Sequence, residues 1–184
     1  TEWIALPYTH AYGNAAGLVT GLNGTSGAGP ITAVARVERQ TQVQQTWAWN
    51  GSAWAGTNFT VLPGDAVAVT ASSALTTSVV GAESGAPAYG FAFHTAVGNL
   101  SWISLPQHAT VSDARSLVQS MNGGTGSGPV SKLAWYNPAT AQMESYLYFA
   151  GAWRGTNFTV QLGSGLAVVA GGDLPLWKPT LPVQ

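Results

Sequence analysis

W-A-G-T-N-F-T-V, residues 54–61, returns as W-R-G-T-N-F-T-V at residues 153–160, with seven of eight positions identical. The two segments begin 99 residues apart, and the same offset carries other matches without a gap. Trp3-Ile4-x-Leu6-Pro7 becomes Trp102-Ile103-x-Leu105-Pro106, Gly29-Pro30 becomes Gly128-Pro129, and Ala68-Val69 becomes Ala167-Val168. A self-match at fixed spacing decides architecture before any residue is read alone. The chain is a tandem duplication, and its function has to suit two copies of one unit.

The 184 residues divide into a first repeat lobe over 1–87, a second over 88–173 and a proline-rich C-terminal arm over 174–184. Each lobe is long enough for a small core of its own. Charged residues make up only 7% of the chain, against about 25% in ordinary globular proteins. With six basic residues and a net charge of −1, the chain cannot supply the phosphate contacts that dominate nucleic-acid affinity, so no nucleic-acid partner is expected. So little charge also gives little colloidal repulsion and favours self-association. There is no cysteine, and no apolar run reaches the length of a membrane-spanning helix.

Residues 2–6 and 100–105 read as matching strands, each stopped by a proline that cannot donate to a ladder. Trp3 and Trp102 are accordingly expected as core residues of those strands. A short helix follows in each copy. Tyr12, Ala15, Leu18, Val19 and Leu22 form one apolar face, and Val111, Ala114, Leu117, Val118 and Met121 the other. Thr110 and Asp113 have the spacing of a capping box, and Asn122-Gly123 supplies the stop. The glycine-rich loops 24–30 and 123–129 follow their helices rather than precede them, which is the wrong order for cradling a phosphate.

The next strands, residues 31–37 and 130–136, lead into T-W-A-W-N-G-S-A-W, residues 46–54. Asn50-Gly51 predicts a type I′ hairpin that sets Trp47 opposite Trp54 and Trp49 opposite Ser52. Tyr146, Tyr148 and Trp153 hold the corresponding places in the second copy. Phe149-Ala150 replaces Asn50-Gly51 there, so a different turn register is expected. The apolar runs 66–70 and 166–170 suggest strands buried on both faces.

Beyond Leu75 the copies diverge. A loop over 83–87 and a strand over 89–96 feed the second copy, and nothing before the first copy matches that strand, so the first lobe is expected to be one strand short. Pro175, Pro179 and Pro182 predict an extended C-terminal arm rather than a paired strand. It can dock on its own molecule or on a neighbour through Leu174, Leu176, Trp177, Leu181 and Val183.

Catalytic chemistry finds little support. His10, His94 and His108 lack metal-ligand spacing, and His10 and His108 are expected to be solvated. No acidic residue recurs at the offset, so no carboxylate pair is built into the repeat, and no G-x-S-x-G is present. No cofactor and no metal are expected. The six aromatic residues Trp47, Trp49, Trp54, Tyr146, Tyr148 and Trp153 either fill the cores or offer flat faces for sugar rings, and the first reading is preferred.

W-I-S-L-P, a short helix with A-x-x-L, G-T-N-F-T-V and P-G-D-A-V-A-V resemble degenerate repeats of secreted and cell-surface bacterial proteins. Those repeats open with W-N-L-I-S-L-P and close with a P-G-x-G-Y-W-V type of strand. This chain departs from them by having Ala66-Val67-Ala68-Val69 where the repeats have aromatics. The resemblance implies an extracellular, non-catalytic role.

The expected fold is therefore mainly β, a β-rich α+β arrangement of two tandem pseudo-equivalent lobes, each a small antiparallel sheet or sandwich with one short helix. The expected function is a non-enzymatic, exported structural protein that assembles with copies of itself in a surface layer, an extracellular filament or a virion coat. The alternative is a carbohydrate-binding module that holds glycans on the two aromatic ribbons.

Overall fold

The offset extends to individual hydrogen bonds. In the computed structural model, which describes residues 1–82, 85, 87–91 and 99–181, Asn23 at the end of α1 (Ala15–Asn23) grips both backbone groups of Ile31. Asn122, following α2 (Ala114–Met121), does the same to Val130. Each asparagine thereby fixes where the next strand begins. A Cβ on Gly29 or Gly128 would collide with these amides, which explains the glycines at those places in the loops.

G-T-N-F-T-V is explained in the same way. Gly56 and Gly155 both have positive φ, and a side chain on either would strike the carbonyl of Thr46 or Ser145. Asn58 and Asn157 accept from Ala16 and Arg115, satisfying an N–H in the first turn of each helix. Phe59 and Phe158 are buried. The repeated motif thus holds strand and helix together. At the second helix Asp113 is itself the N-cap and closes its capping box with Ser116, one turn later than the Thr110–Asp113 pairing expected.

Each copy forms a five-stranded antiparallel sheet. The first runs β1 (Glu2–Ala5), β5 (Ala66–Ala71), β2 (Ile31–Val37), β3 (Gln44–Trp49), β4 (Trp54–Gly56). The second runs β7 (Leu100–Ser104), β11 (Gly165–Ala170), β8 (Val130–Asn137), β9 (Gln142–Phe149), β10 (Ala152–Gly155). One face of each sheet packs on its helix: Val34, Val67 and Val69 against Leu18 and Leu22, and Leu133, Leu166 and Val168 against Leu117 and Met121. The opposite faces meet through Trp3, Ala66, Trp102, Ala134 and Ala167. The layers are helix, sheet, sheet, helix.

That central contact is reciprocal. Ala5 N donates to Gly163 O while Ser104 N donates to Gly64 O, and bridges join Ile4 to Ser164 and Ile103 to Asp65. In each case the partners exchange under the offset, the signature of a two-fold, isologous interface. Trp3 and Trp102 do lie on matching strands, and they stack on each other between the sheets.

Two expectations about strands change. Both lobes have five-stranded sheets, so what the first lobe lacks, among the described residues, is not a sheet strand but a counterpart of Tyr89–Phe91. Tyr89–Phe91 forms β6 outside the five-stranded sheets, and the rest of the strand expected over 89–96, together with parts of the loop over 83–87, lies outside the described residues. β6 pairs with β12 (Leu174–Trp177) to form a two-stranded cover on the second lobe. Pro175 is tolerated because a two-stranded ribbon requires ladder donors on one side only.

Candidate functional site

Two groups of residues stand out in the sequence, the aromatic ribbons and the arm. Both hairpins share one register, contrary to expectation: Trp49 faces Trp54 and Trp47 faces Gly56, as Tyr148 faces Trp153 and Tyr146 faces Gly155. The turn centres on Gly51-Ser52, where the Asn50 carboxamide accepts from the N–H groups of Ser52 and Ala53. Positive φ is then needed only at Gly51, whereas Ala150-Gly151 takes it at both positions. The three aromatics of each copy still share one face.

In the first lobe Trp54 lies near-parallel to Trp47 and edge-on to Trp49, with its indole N–H donated to Gly27 O. All three rings are half-buried, and Trp47 and Trp54 pack against the core. In the second lobe Tyr146 is buried and stacks on Trp153 at 5.0 Å, and Trp153 donates to Gly126 O. Tyr148 tilts onto Trp153 and is 39% exposed, so of the six ring residues it reaches furthest into solvent.

The copies differ in what borders these rings. Where the first lobe has Ala16, the second has Arg115, whose Nε donates to the Tyr146 hydroxyl at 3.3 Å. With Gln119, Gly126 and Trp153 it lines a cleft of about 340 Å³. An aromatic wall with a guanidinium and a carboxamide at its edge is a lining that suits a small polar ligand.

The arm folds back on its own molecule. Trp177 is buried, lies tilted against the Tyr89 ring and donates to the Ser120 hydroxyl. Leu174 packs on the same core, and Thr110 N donates to Thr180 O. Leu181 is half-buried and Leu176 is exposed, while Val183 lies outside the described residues. The described part of the arm therefore completes the second lobe in cis.

A polar cluster missed in the sequence lies at one side of the two-fold contact. Asp65, only 7% exposed, is paired with Arg36 at 3.0 Å and Arg39 at 3.2 Å and also accepts from Leu62 N. Arg39 lies over the Tyr89 ring, and Tyr89 and Tyr8 both donate to Ser104 O. Burial pushes the Tyr89 hydroxyl up to a pKa of about 12. Ser164, Trp135 and Pro138 stand at the offset positions of Asp65, Arg36 and Arg39, so nothing in the repeat pattern marked this cluster. On the same side the Gln42 carboxamide bonds both the N–H and the C=O of Leu100 on β7.

His108 is exposed, but the ring nitrogens of His10 are sequestered and have no hydrogen-bond partner among the described residues, against expectation. His94 lies outside the described residues. Among the described residues no group of three His, Cys, Asp or Glu is placed to hold a metal ion, and no helix is long and apolar enough to cross a membrane. Comparison with protein-family models, curated proteins and solved structures finds no match for this chain.

Proposed function

We propose that the chain is a non-catalytic, exported structural protein that assembles with copies of itself at a cell surface, in an extracellular filament or in a virion. The observation that carries this reading is a difference between the two copies. Met143 and Phe149 lie on one face of β9, 49% and 64% exposed, where the first copy has Gln44 and Asn50. Apolar side chains exposed on one sheet face offer area that a contact with another molecule would bury, and a surface with so little charge does not oppose association. The resemblance of the repeat to modules of secreted and cell-surface bacterial proteins supports export.

Because the described arm is engaged in cis, assembly is assigned to the β9 face. Exchanging Met143→Gln and Phe149→Asn together installs the first copy's residues on an exposed surface and leaves the fold intact. Light scattering is expected to show smaller species for this variant than for the parent at equal concentration. Unchanged size would exclude the face as the contact.

A second reading is favoured by the cleft at Arg115, Tyr146 and Trp153. There the protein binds a glycan, with Tyr148 offering its exposed ring to a sugar face. Tryptophan fluorescence that shifts with a glycan, and no longer does so in Arg115→Ala, would support it. A flat response across a glycan array would end it.

A further inference from the structure

The second lobe is closed by β6. Tyr89 and Phe91 are 1% and 4% exposed, and β6 pairs antiparallel with β12. The Tyr89 hydroxyl contacts Ser104 O and the Tyr8 hydroxyl. A Cβ on Gly64 would lie 2.8 Å from the same hydroxyl. The 99-residue offset maps this socket onto the other lobe: β12 onto residues 75–78, Ser104 onto Ala5, Tyr8 onto Gln107 and Gly64 onto Gly163.

The chain follows a similar route in the first lobe. In each lobe the segment beyond the sheet bonds the loop ahead of the helix, Thr9 N to Ala82 O and Thr110 N to Thr180 O, although the bonded residues are one or two positions away from exact offset partners. Tyr12 packs its ring on Gly21, the counterpart of Ser120, and so stands in for Trp177. Among the described residues, however, no strand lies beside residues 75–78. Two open clefts of about 400 Å³ each flank this segment instead. The first is lined by Ala5, Gln107, Gly163, Leu75 and Val79, and so includes the counterparts of the groups that hold Tyr89. Leu75 is 39% exposed, whereas its counterpart Leu174 is covered by pairing with Phe91.

We infer that this groove is a strand-docking site on the first lobe, and that its occupant is a β-strand of another polypeptide chain carrying aromatic side chains at alternate positions. The identity of the occupant comes from the molecule itself, since the equivalent socket is filled by Tyr-Gly-Phe, and that strand is committed to the second lobe. Backbone pairing along residues 75–78 supplies affinity, and two aromatic rings in the flanking clefts supply specificity. This inference does not rest on the self-assembly reading.

The test is hydrogen exchange over residues 75–78 in the intact protein, with a synthetic peptide of the sequence 87–99 added to millimolar concentration. Saturable slowing of exchange is expected. It should be absent with a peptide in which Tyr89 and Phe91 are replaced by Ser, and absent in the protein variant Leu75→Lys, whose substitution is on the surface and leaves the core untouched. A weak site is brought into range by fusing the same segment directly ahead of Thr1, which raises its effective concentration. That fusion is expected to protect residues 75–78 and raise the melting temperature. No protection in either format would overturn the proposal. Protection already present without peptide and lost on dilution would overturn it too, by assigning the groove to a second copy of this chain.

Discussion

The indole rings of Trp3 and Trp102 lie face to face, 3.7 Å apart and 1° from parallel, and each is the other's counterpart under the 99-residue offset. A residue that stacks on its own equivalent lies on the two-fold relation between the copies. Around it, Gly165 provides the clearance, since a Cβ there would press on Ala66 and Trp3. The duplication thus encodes a dimer-like interface within one chain.

Because the two rings stack on each other, their contributions are coupled. Trp102→Ala is expected to cost about 3–5 kcal/mol, and Trp3→Ala somewhat less because Trp3 is half-buried. In a double-mutant cycle read by urea denaturation, the pair should fall short of additivity by about 1 kcal/mol. Strict additivity would mean that the stack contributes nothing beyond the area each ring buries.

Asp65 joins two guanidinium groups that are themselves largely shielded from water. Asp65→Ala leaves two uncompensated cations, with an expected loss of about 3–5 kcal/mol. Replacing the exposed acid Glu2 by Gln should change stability by no more than about 0.5 kcal/mol. Comparable midpoints for the two variants in urea would show that the cluster is solvated after all.

Tyr89 makes stability sensitive to alkali. Its folded pKa is raised by burial to about 12 from an ordinary value of 10, so the folded state keeps a proton that the unfolded chain gives up. The resulting stabilisation is fully present below pH 10 and is lost as pH rises from 10 towards 12. Two pKa units correspond to about 2.7 kcal/mol. Tyr89→Phe should be less stable at neutral pH through its lost hydrogen bonds, yet show a shallower decline across this window. Parallel profiles for the two proteins would remove Tyr89 as the cause.

Trp177 separates a cis arm from an assembly arm. Trp177→Ala should lower stability by about 3–5 kcal/mol, because it empties a buried ring site on α2, while leaving particle size unchanged under native conditions. Loss of large species with an unchanged melting temperature would restore the arm as the contact between molecules.

Much of the fold was legible because the duplication repeats its local chemistry. Asn23 and Asn122, Gly56 and Gly155, and Phe59 and Phe158 each do one task twice, and the repetition exposes them. The hairpin register was misread because the turn residues do not decide it: Asn50-Gly51 and Phe149-Ala150 close the same register, which follows the cross-strand pairs both copies share, Trp49 with Trp54 and Tyr148 with Trp153. β12 was hidden by Pro175, whose missing N–H excludes a central strand but not a two-stranded cover. The Asp65 cluster was invisible for the opposite reason, since it breaks the repeat and joins residues from both copies. The aromatic ribbons were placed on the correct face, but their burial depends on neighbours such as Arg115 that only one copy has.

The most direct test of the proposed function is size-exclusion chromatography with light scattering on the intact chain over a wide concentration range, followed by electron microscopy of the early fractions. Self-assembly predicts regular species that grow with concentration well beyond the 18.9 kDa monomer and that shrink when Met143→Gln and Phe149→Asn are combined. A single 18.9 kDa species at every concentration would contradict it.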